Sequence, residues 1–336
     1  MVRTSSRPGV LDRVRPAMPS PASSFRPRPW LLLTAVAALF LFGACARDTP
    51  AAAQPDTTRI ALIAGRPSHP PGMHEFRAGA LLMQKGLAGV AGLQVDVYPM
   101  GWPSKIVDGQ EVDDHAALED ADAVLIYADG GSGHPALQRD HQAVLDRLAA
   151  RGVGLGFAHY AVEVPPGADG GDAMLSWNGG FYEHLYSVNP MWRPEFTSLP
   201  THPITRGVGP FATHDEWYFN MRWTGDAAAR ARITPLLVAR PDDAVRRGPY
   251  VSPPGPYDHI IADSGRDETM MWAYERADGG RSFGFTGGHT HANWGDVNQR
   301  RIVLNALLWI AGMDVPAGGV VDTITAADLT MNLDDK

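Results

Sequence analysis

The sequence predicts an α/β domain: a doubly wound, mostly parallel sheet flanked by helices, with an irregular insert. Three observations carry that expectation. Compact apolar runs such as RIALIA at 59–64 and DAVLIY at 122–127 suit strands buried on both faces. Segments of helical spacing alternate with these runs, the rhythm of βαβ units. Between 169 and 278 the rhythm weakens into a Trp-, Pro- and Gly-rich stretch, and it returns in a final strand and helix.

The chain opens with Arg3, Arg7, Arg13, Arg15, Arg26 and Arg28, followed by an apolar run from Trp30 to Phe42 and small residues before Cys45. A basic start, a short apolar stretch and small residues make a secretory signal, and the run is short for a membrane span. The segment Leu41-Phe42-Gly43-Ala44-Cys45 reads as a lipobox, with Phe42 unusual in its place and Met18 an alternative start. Residues 1–45 are therefore expected to be a lipoprotein signal with Cys45 lipidated. The expected product is an exported cell-envelope lipoprotein, facing the periplasm or the cell surface and held at the membrane by its lipid. Residues 46–58, rich in Ala, Pro, Asp and Thr, read as a tether.

From residue 59 the elements follow in order. Strands are expected at 59–64, 93–98, 122–127 and 152–158, with helices at 73–85 and 136–150 between them. Within the irregular stretch, short strands are expected at 195–199, 217–221, 233–239 and 269–274, and residues 240–267 with Pro253-Pro254-Gly255-Pro256 as an excursion. A strand at 281–286 precedes a helix at 296–311, whose Asp296 N-cap has Gln299 three residues on and whose stop is Gly312. The domain spans 59–318, residues 319–336 form a tail, and everything from Val315 onward is expected to be loose.

Composition excludes some functions. The net charge is −8, moving to about −13 when the six arginines and Asp12 of the first 44 residues are set aside, a balance unlike that of nucleic-acid-binding proteins. Cys45 is the only cysteine, so the domain has neither an internal disulfide nor a thiolate nucleophile.

In a doubly wound sheet, ligands bind beyond the carboxyl ends of the strands. Four such ends carry histidine here: Arg66-Pro67-Ser68-His69 with His74-Glu75, Asp129-Gly130-Gly131 with His134, His159 with Glu163, and His289-Thr290-His291-Ala292-Asn293-Trp294. A random scatter of twelve histidines would not favour that coincidence. His134 alone reads more simply as a satisfied turn residue, His115 and His141 as solvated surface, and His202 before Pro203 as part of a turn. His289 and His291, two apart, point to the same side in extended structure. His159 and Glu163 would share a face if a helix starts there. Glu216, between Asp215 and Trp217, is either an acid of raised pKa or part of a packed turn.

These blocks resemble successive signatures of the ThuA-like (trehalose-utilisation) family. They are AGRPSHPPGMHEF at 64–76, the Asp129 loop, HYAVE at 159–163, SVNPMW at 187–192, HPITRGV at 202–208, DEWY at 215–218 and FGFTGGHTHANW at 283–294. Pro70 and Met73 stand where the family pattern would have a glycine and an acid. The resemblance implies a flavodoxin-like sheet of the class I glutamine amidotransferase type, with His159 at the elbow where those enzymes carry cysteine. Thiolate chemistry is then excluded.

The resemblance further implies a hydrolase or lyase acting on sugars or glycosides, in particular 3-keto derivatives. A ketone acidifies the adjacent C–H, so a base, an acid and a means of stabilising the enolate suffice. On this reading His159, Glu163, Glu216 and His289 are catalytic. His69, Asp129, Trp102, Trp177, Trp294 and Asn293 bind substrate, and His74, Glu75 and His291 hold a divalent metal. Zinc is favoured by the abundance of histidine, and no nucleotide cofactor is expected. The rivals are a non-catalytic carbohydrate-binding lipoprotein and a metal-dependent amidohydrolase.

Overall fold

The fold grows from the strand Thr58–Ala64 (β1), whose alternate side chains face opposite ways. Ile60, Leu62 and Ala64 enter one core while Ala61 and Ile63 enter another, as the period-two geometry of a strand requires. The computed structural model describes residues 57–336. The expected signal segment, Cys45 and nearly all of the tether lie outside them.

Six further strands join β1: Leu93–Tyr98 (β2), Ala123–Tyr127 (β3), Gly154–Ala158 (β4), Ile233–Ala239 (β5), Glu268–Glu275 (β6) and Arg281–Phe285 (β7). Their order across the sheet is β5-β6-β7-β4-β3-β1-β2. Pairing is parallel from β2 through β7 and antiparallel for β6 with both its neighbours. Helices Phe76–Leu87 (α1) and Val297–Ile310 (α4) cover one face, and His141–Ala150 (α2) and Gly171–Asn178 (α3) the other. Among the described residues, no helix is long and apolar enough to cross a membrane.

Several boundaries differ from expectation for local reasons. The first helix starts at Phe76 rather than 73 because His74 has φ +48°. The second starts at His141 because Arg139 has φ +50° and Gln138 is extended, which breaks the segment from 136 onward. Residues 233–239 and 268–275, expected as small strands of the irregular region, form the antiparallel edge of the main sheet. The strands expected at 195–199 and 217–221 are reduced to the bridges Phe196–Phe211 and Val188–Phe219. The insert contains instead the short pairs Met191–Trp192 with Asp215–Glu216 and Gly180–Phe181 with Arg222–Trp223. A hairpin of Ser104–Val107 and Gln110–Asp113 was not anticipated.

The tail is not loose. Val315 and Val320 are buried, Asp322 forms a two-bonded ion pair with Arg300 at 2.9 and 3.0 Å, and Asp328 pairs with Lys85. Charge and apolar burial thus return the chain across α4 and α1.

The cap of α4 matches the sequence pattern: Asp296 accepts from Asn298 N at 2.9 Å and Gln299 N at 3.0 Å. Asp296→Ala is expected to lower unfolding free energy by about 1 kcal/mol. A urea midpoint unchanged from wild type would show that the cap contributes nothing.

Candidate metal centre

The parallel strands run in the order β2-β1-β3-β4, so the chain reverses direction between β1 and β3. In such sheets this switch point is where ligands bind. The loops after β1, β3, β4 and β7 converge there, and three of them deliver an imidazole to one point.

Left-handed backbone aims two of these rings. His159 directly follows β4 with φ +54°, and His74 has φ +48°. A non-glycine residue held in this region costs about 1–3 kcal/mol and persists only where its surroundings over-determine it. At the β3 end, a Cβ on Gly130 would lie 2.1 Å from the Tyr160 carbonyl oxygen. Only glycine lets the Asp129 loop pack against the elbow that carries His159.

The three ring nitrogens lie in mutual contact. His74 Nε2 is 2.9 Å from His289 Nδ1 and 3.0 Å from His159 Nε2, and His289 Nδ1 is 3.3 Å from His159 Nε2. Glu216, supplied by the insert, brings Oε2 to 2.7 Å from His289 Nδ1 and 3.8 Å from His159 Nε2. All four residues are buried.

Their outer partners decide where the protons sit. His159 Nδ1 faces the Thr286 carbonyl at 3.0 Å, and a carbonyl only accepts, so Nδ1 carries the proton and Nε2 is bare. His74 Nδ1 meets Asp129 Oδ1 at 2.8 Å, which likewise leaves its Nε2 bare. Two lone pairs therefore face one another at 3.0 Å. The Tyr218 hydroxyl reaches His159 Nε2 at 3.2 Å, and a proton on His289 Nδ1 would be shared between His74 Nε2 at 2.9 Å and Glu216 Oε2 at 2.7 Å, whereas a metal ion would meet all three nitrogens and the carboxylate at once. For a tetrahedral ion with ligands at 2.0–2.1 Å, ligand atoms stand about 3.3 Å apart. The observed separations bracket that value, so this donor set fits a divalent ion.

Electrostatics agree. Burial, with the neighbouring His69 and His289, lowers the His74 pKa to about 2. Burial, with His74 and His289, holds His159 well below the ordinary 6.5. Both are neutral ligands at any physiological pH. Burial raises Glu216 despite its bond to His289, and Asn189 Nδ2 donates to its other oxygen at 2.8 Å. Asp215 points the opposite way from Glu216 and accepts from the amides of Gly288 at 2.8 Å and Thr290 at 2.9 Å, bracing the His289 loop.

The remaining predicted residues separate by position. Asp129 and His69 stay with the centre: Asp129 orients His74, and the His69 ring lies 3.6 Å from that of His74, half-exposed at its mouth. Glu163 ends the turn after His159. Burial and Glu216 raise its pKa to about 7.

Glu75 and His291 do not join the imidazoles. Glu75 turns away to the amides of Gly72 and Asp334 at 2.9 and 2.7 Å, and His291 is buried with no ring contact to the cluster.

Trp177 and Trp294 are core residues. The first donates to Asp146 and stacks on Phe157, while the second packs on Tyr127 and Phe285. Neither can form a sugar platform. Asn293 donates to the His214 carbonyl outside the centre.

Trp102 lines an open crevice of about 500 Å³ with Arg66, Ser104, Asp129, Gln138 and Arg139. Its ring stacks on His141 at 3.9 Å and 7°. His141, expected at the surface, is buried between Asp113 and the Pro135 carbonyl. His134 is a fully satisfied turn residue, as its simpler reading held, and His202 caps a short turn.

Sequence reasoning gave no role to Asn189, Tyr218, the Thr286 carbonyl or Ser68, whose hydroxyl donates to Asp129 Oδ1 at 3.0 Å. Asn189 and Tyr218 lie inside SVNPMW and DEWY, and Ser68 lies beside His69, so proximity to motif residues was the available signal.

Comparison with known proteins fits this architecture. Residues 104–310 match the family model described as ThuA, trehalose utilisation. A ThuA-like protein of Bacteroides uniformis superposes with a TM-score of 0.52 at 14% identity, covering 79% of this chain and 96% of its own. A second, from Parabacteroides merdae, gives 0.48 at 15% identity over 77% and 92%. No curated protein matches the chain. At such identity the structural likeness speaks for the fold alone, whereas the family model covers most of the chain. The match takes in five of the seven strands of the main sheet and the loops that carry His159 and His289, and the chain belongs to the ThuA trehalose-utilisation family.

Proposed function

We propose that this protein is a metal-dependent, carbohydrate-modifying hydrolase or lyase whose centre is His74, His159, His289 and Glu216. One observation carries the reading: four metal-ligating atoms lie within 4.8 Å of one another, and two of them are bare imidazole nitrogens aimed at each other. A divalent ion held by these residues would supply Lewis-acid stabilisation for negative charge on a substrate carbonyl oxygen, provided that its coordination expands to admit that oxygen.

The chain's own groups do the rest. Asp129 and the Thr286 carbonyl hold two imidazoles in the tautomer that leaves Nε2 free for a metal, and such orienting bonds set metal affinity. Glu163, with a pKa of about 7, is poised to take a proton from carbon beside a ketone or give one to a departing glycosidic oxygen. The crevice at the switch point offers Arg66, Ser104, Gln138 and Asp129 to hydroxyl groups. The family's description supports a sugar substrate, and a 3-keto glycoside suits this acid–base set. The proposal includes export and lipid attachment at Cys45, tested by fatty-acid labelling that Cys45→Ser should abolish.

Protein purified without chelators is expected to carry about one divalent ion per chain. His159→Ala should abolish binding, and Asp129→Asn should weaken it about 10–100-fold. Full occupancy in His159→Ala by elemental analysis would remove the centre from consideration.

Metal-loaded protein should release glucose from 3-keto-trehalose and not from trehalose, and His289→Ala should release none. Equal turnover by His289→Ala and wild type would sink the sugar reading.

The rate profile should show an ionisation near pH 7 that Glu163→Gln removes. A carboxyl whose pKa is raised on folding favours the protonated native state. Its stabilisation is present below the ordinary 4.5 and lost as pH rises through about 7. Glu163→Gln should therefore raise Tm above pH 7 and change it little under acid conditions. Parallel Tm curves for the two proteins would contradict this.

A further inference from the structure

The loop that presents His74 is irregular and left-handed at the ligand itself, so something must hold it. Two of its contacts come from the β7 side: His74 N donates to His289 O at 3.0 Å, and His291 N donates to Gly72 O at 2.9 Å. Asp129 holds the His74 ring at 2.8 Å, and further contacts come from residues 333–336. Lys336 Nζ donates to the carbonyls of Met73 at 2.6 Å and His74 at 3.2 Å, and lies 3.4 Å from Glu75 Oε1. The Asp334 amide donates to Glu75 Oε2 at 2.7 Å, while Glu75 Oε1 accepts from Gly72 N at 2.9 Å. Arg77 ties the same segment from the first turn of α1, donating to Leu333 O at 2.9 Å and pairing with Asp334 at 3.3 Å.

The lysine side chain is only 7% exposed. Burying an ammonium is costly unless its donors are paired. Here three donors meet three acceptors, all on consecutive residues of the His74 loop. An incidental tail contact would leave that charge in water.

We propose that residues 333–336 form a strap that positions His74, with Lys336 as its positioning residue. The strap is thereby a built part of the metal centre. Glu75, which sequence reasoning took for a ligand, is the buried anchor on the loop side. The effect on metal affinity rests on the metal reading above; the effect on the loop does not.

The test compares wild type with Lys336→Met and Lys336→Arg, using full-length protein. The metal-independent readout is amide hydrogen exchange at His74 and His291 in chelator-treated protein. The metal readout is a zinc titration against a chromophoric chelator. Lys336→Met is expected to speed exchange at those two amides about tenfold or more while β3 and β4 keep wild-type protection. Zinc affinity should fall about 10–100-fold, the range for outer-shell supports, and Lys336→Arg should restore part of both. Exchange and affinity both unchanged in Lys336→Met would overturn the strap. So would loss of protection spread evenly over the sheet, because the lysine would then serve only overall stability. If wild type binds no zinc while the two amides still respond, the strap stands and the metal reading falls.

Discussion

Everything in this molecule's functional half is arranged around the mutual repulsion of two bare imidazole nitrogens 3.0 Å apart. Nitrogen lone pairs do not adopt that contact unaided in a dry interior, where unpaired polar groups are costly. Asp129 below His74 and the Thr286 carbonyl beside His159 remove any freedom to swap tautomers. Glu216 and His289 close the group, and Asn189 satisfies the carboxylate's other oxygen. The result is four buried atoms of metal-ligand type within 4.8 Å of one another.

Sheet topology explains how residues so distant in the chain reach one point. Parallel strands place all their carboxyl ends on one rim, and the reversal between β1 and β3 opens a crevice there. His159 occupies the sharp turn directly after β4, and its left-handed backbone throws the ring over the rim. The insert completes the centre. It contributes nothing to the parallel sheet, yet it supplies Glu216, Tyr218 and Asn189, the roof over three imidazoles that the sheet has already gathered.

Two pairs of neighbouring carboxylates show how environment divides labour. Asp215 and Glu216 are adjacent in a two-residue strand and so face opposite ways. One accepts amides and stiffens a loop; the other meets imidazoles. Glu163 and Glu216 lie near enough to repel, and burial adds to that repulsion at Glu163. Glu216 has His289 as a direct partner, whereas Glu163 has only His184, at 4.0 Å. Different partners thus set the two carboxylates apart: Glu216 meets an imidazole, and Glu163 keeps a raised pKa.

What the residues alone could settle was local or periodic. Apolar runs and alternating helical segments specified a doubly wound sheet, because burial on both faces leaves that signature in composition. The Asp296 cap was legible for the same reason, its partners being two and three residues away. Histidines at successive strand ends pointed to the rim where three of them meet, since position relative to a strand is itself local information. Which of them would meet was not legible. His291 has the same credentials as His289, and Glu75 the same as Glu216, but ring orientation depends on contacts with residues more than a hundred positions away. The antiparallel edge at 233–239 and 268–275, the burial of His141 and Trp177, and the docking of the tail were hidden likewise. Each depends on long-range pairing, which spacing along the chain does not encode. Only the folded structure could turn Glu75 from a ligand into an anchor and bring His74, His159 and His289 within 3.3 Å of one another.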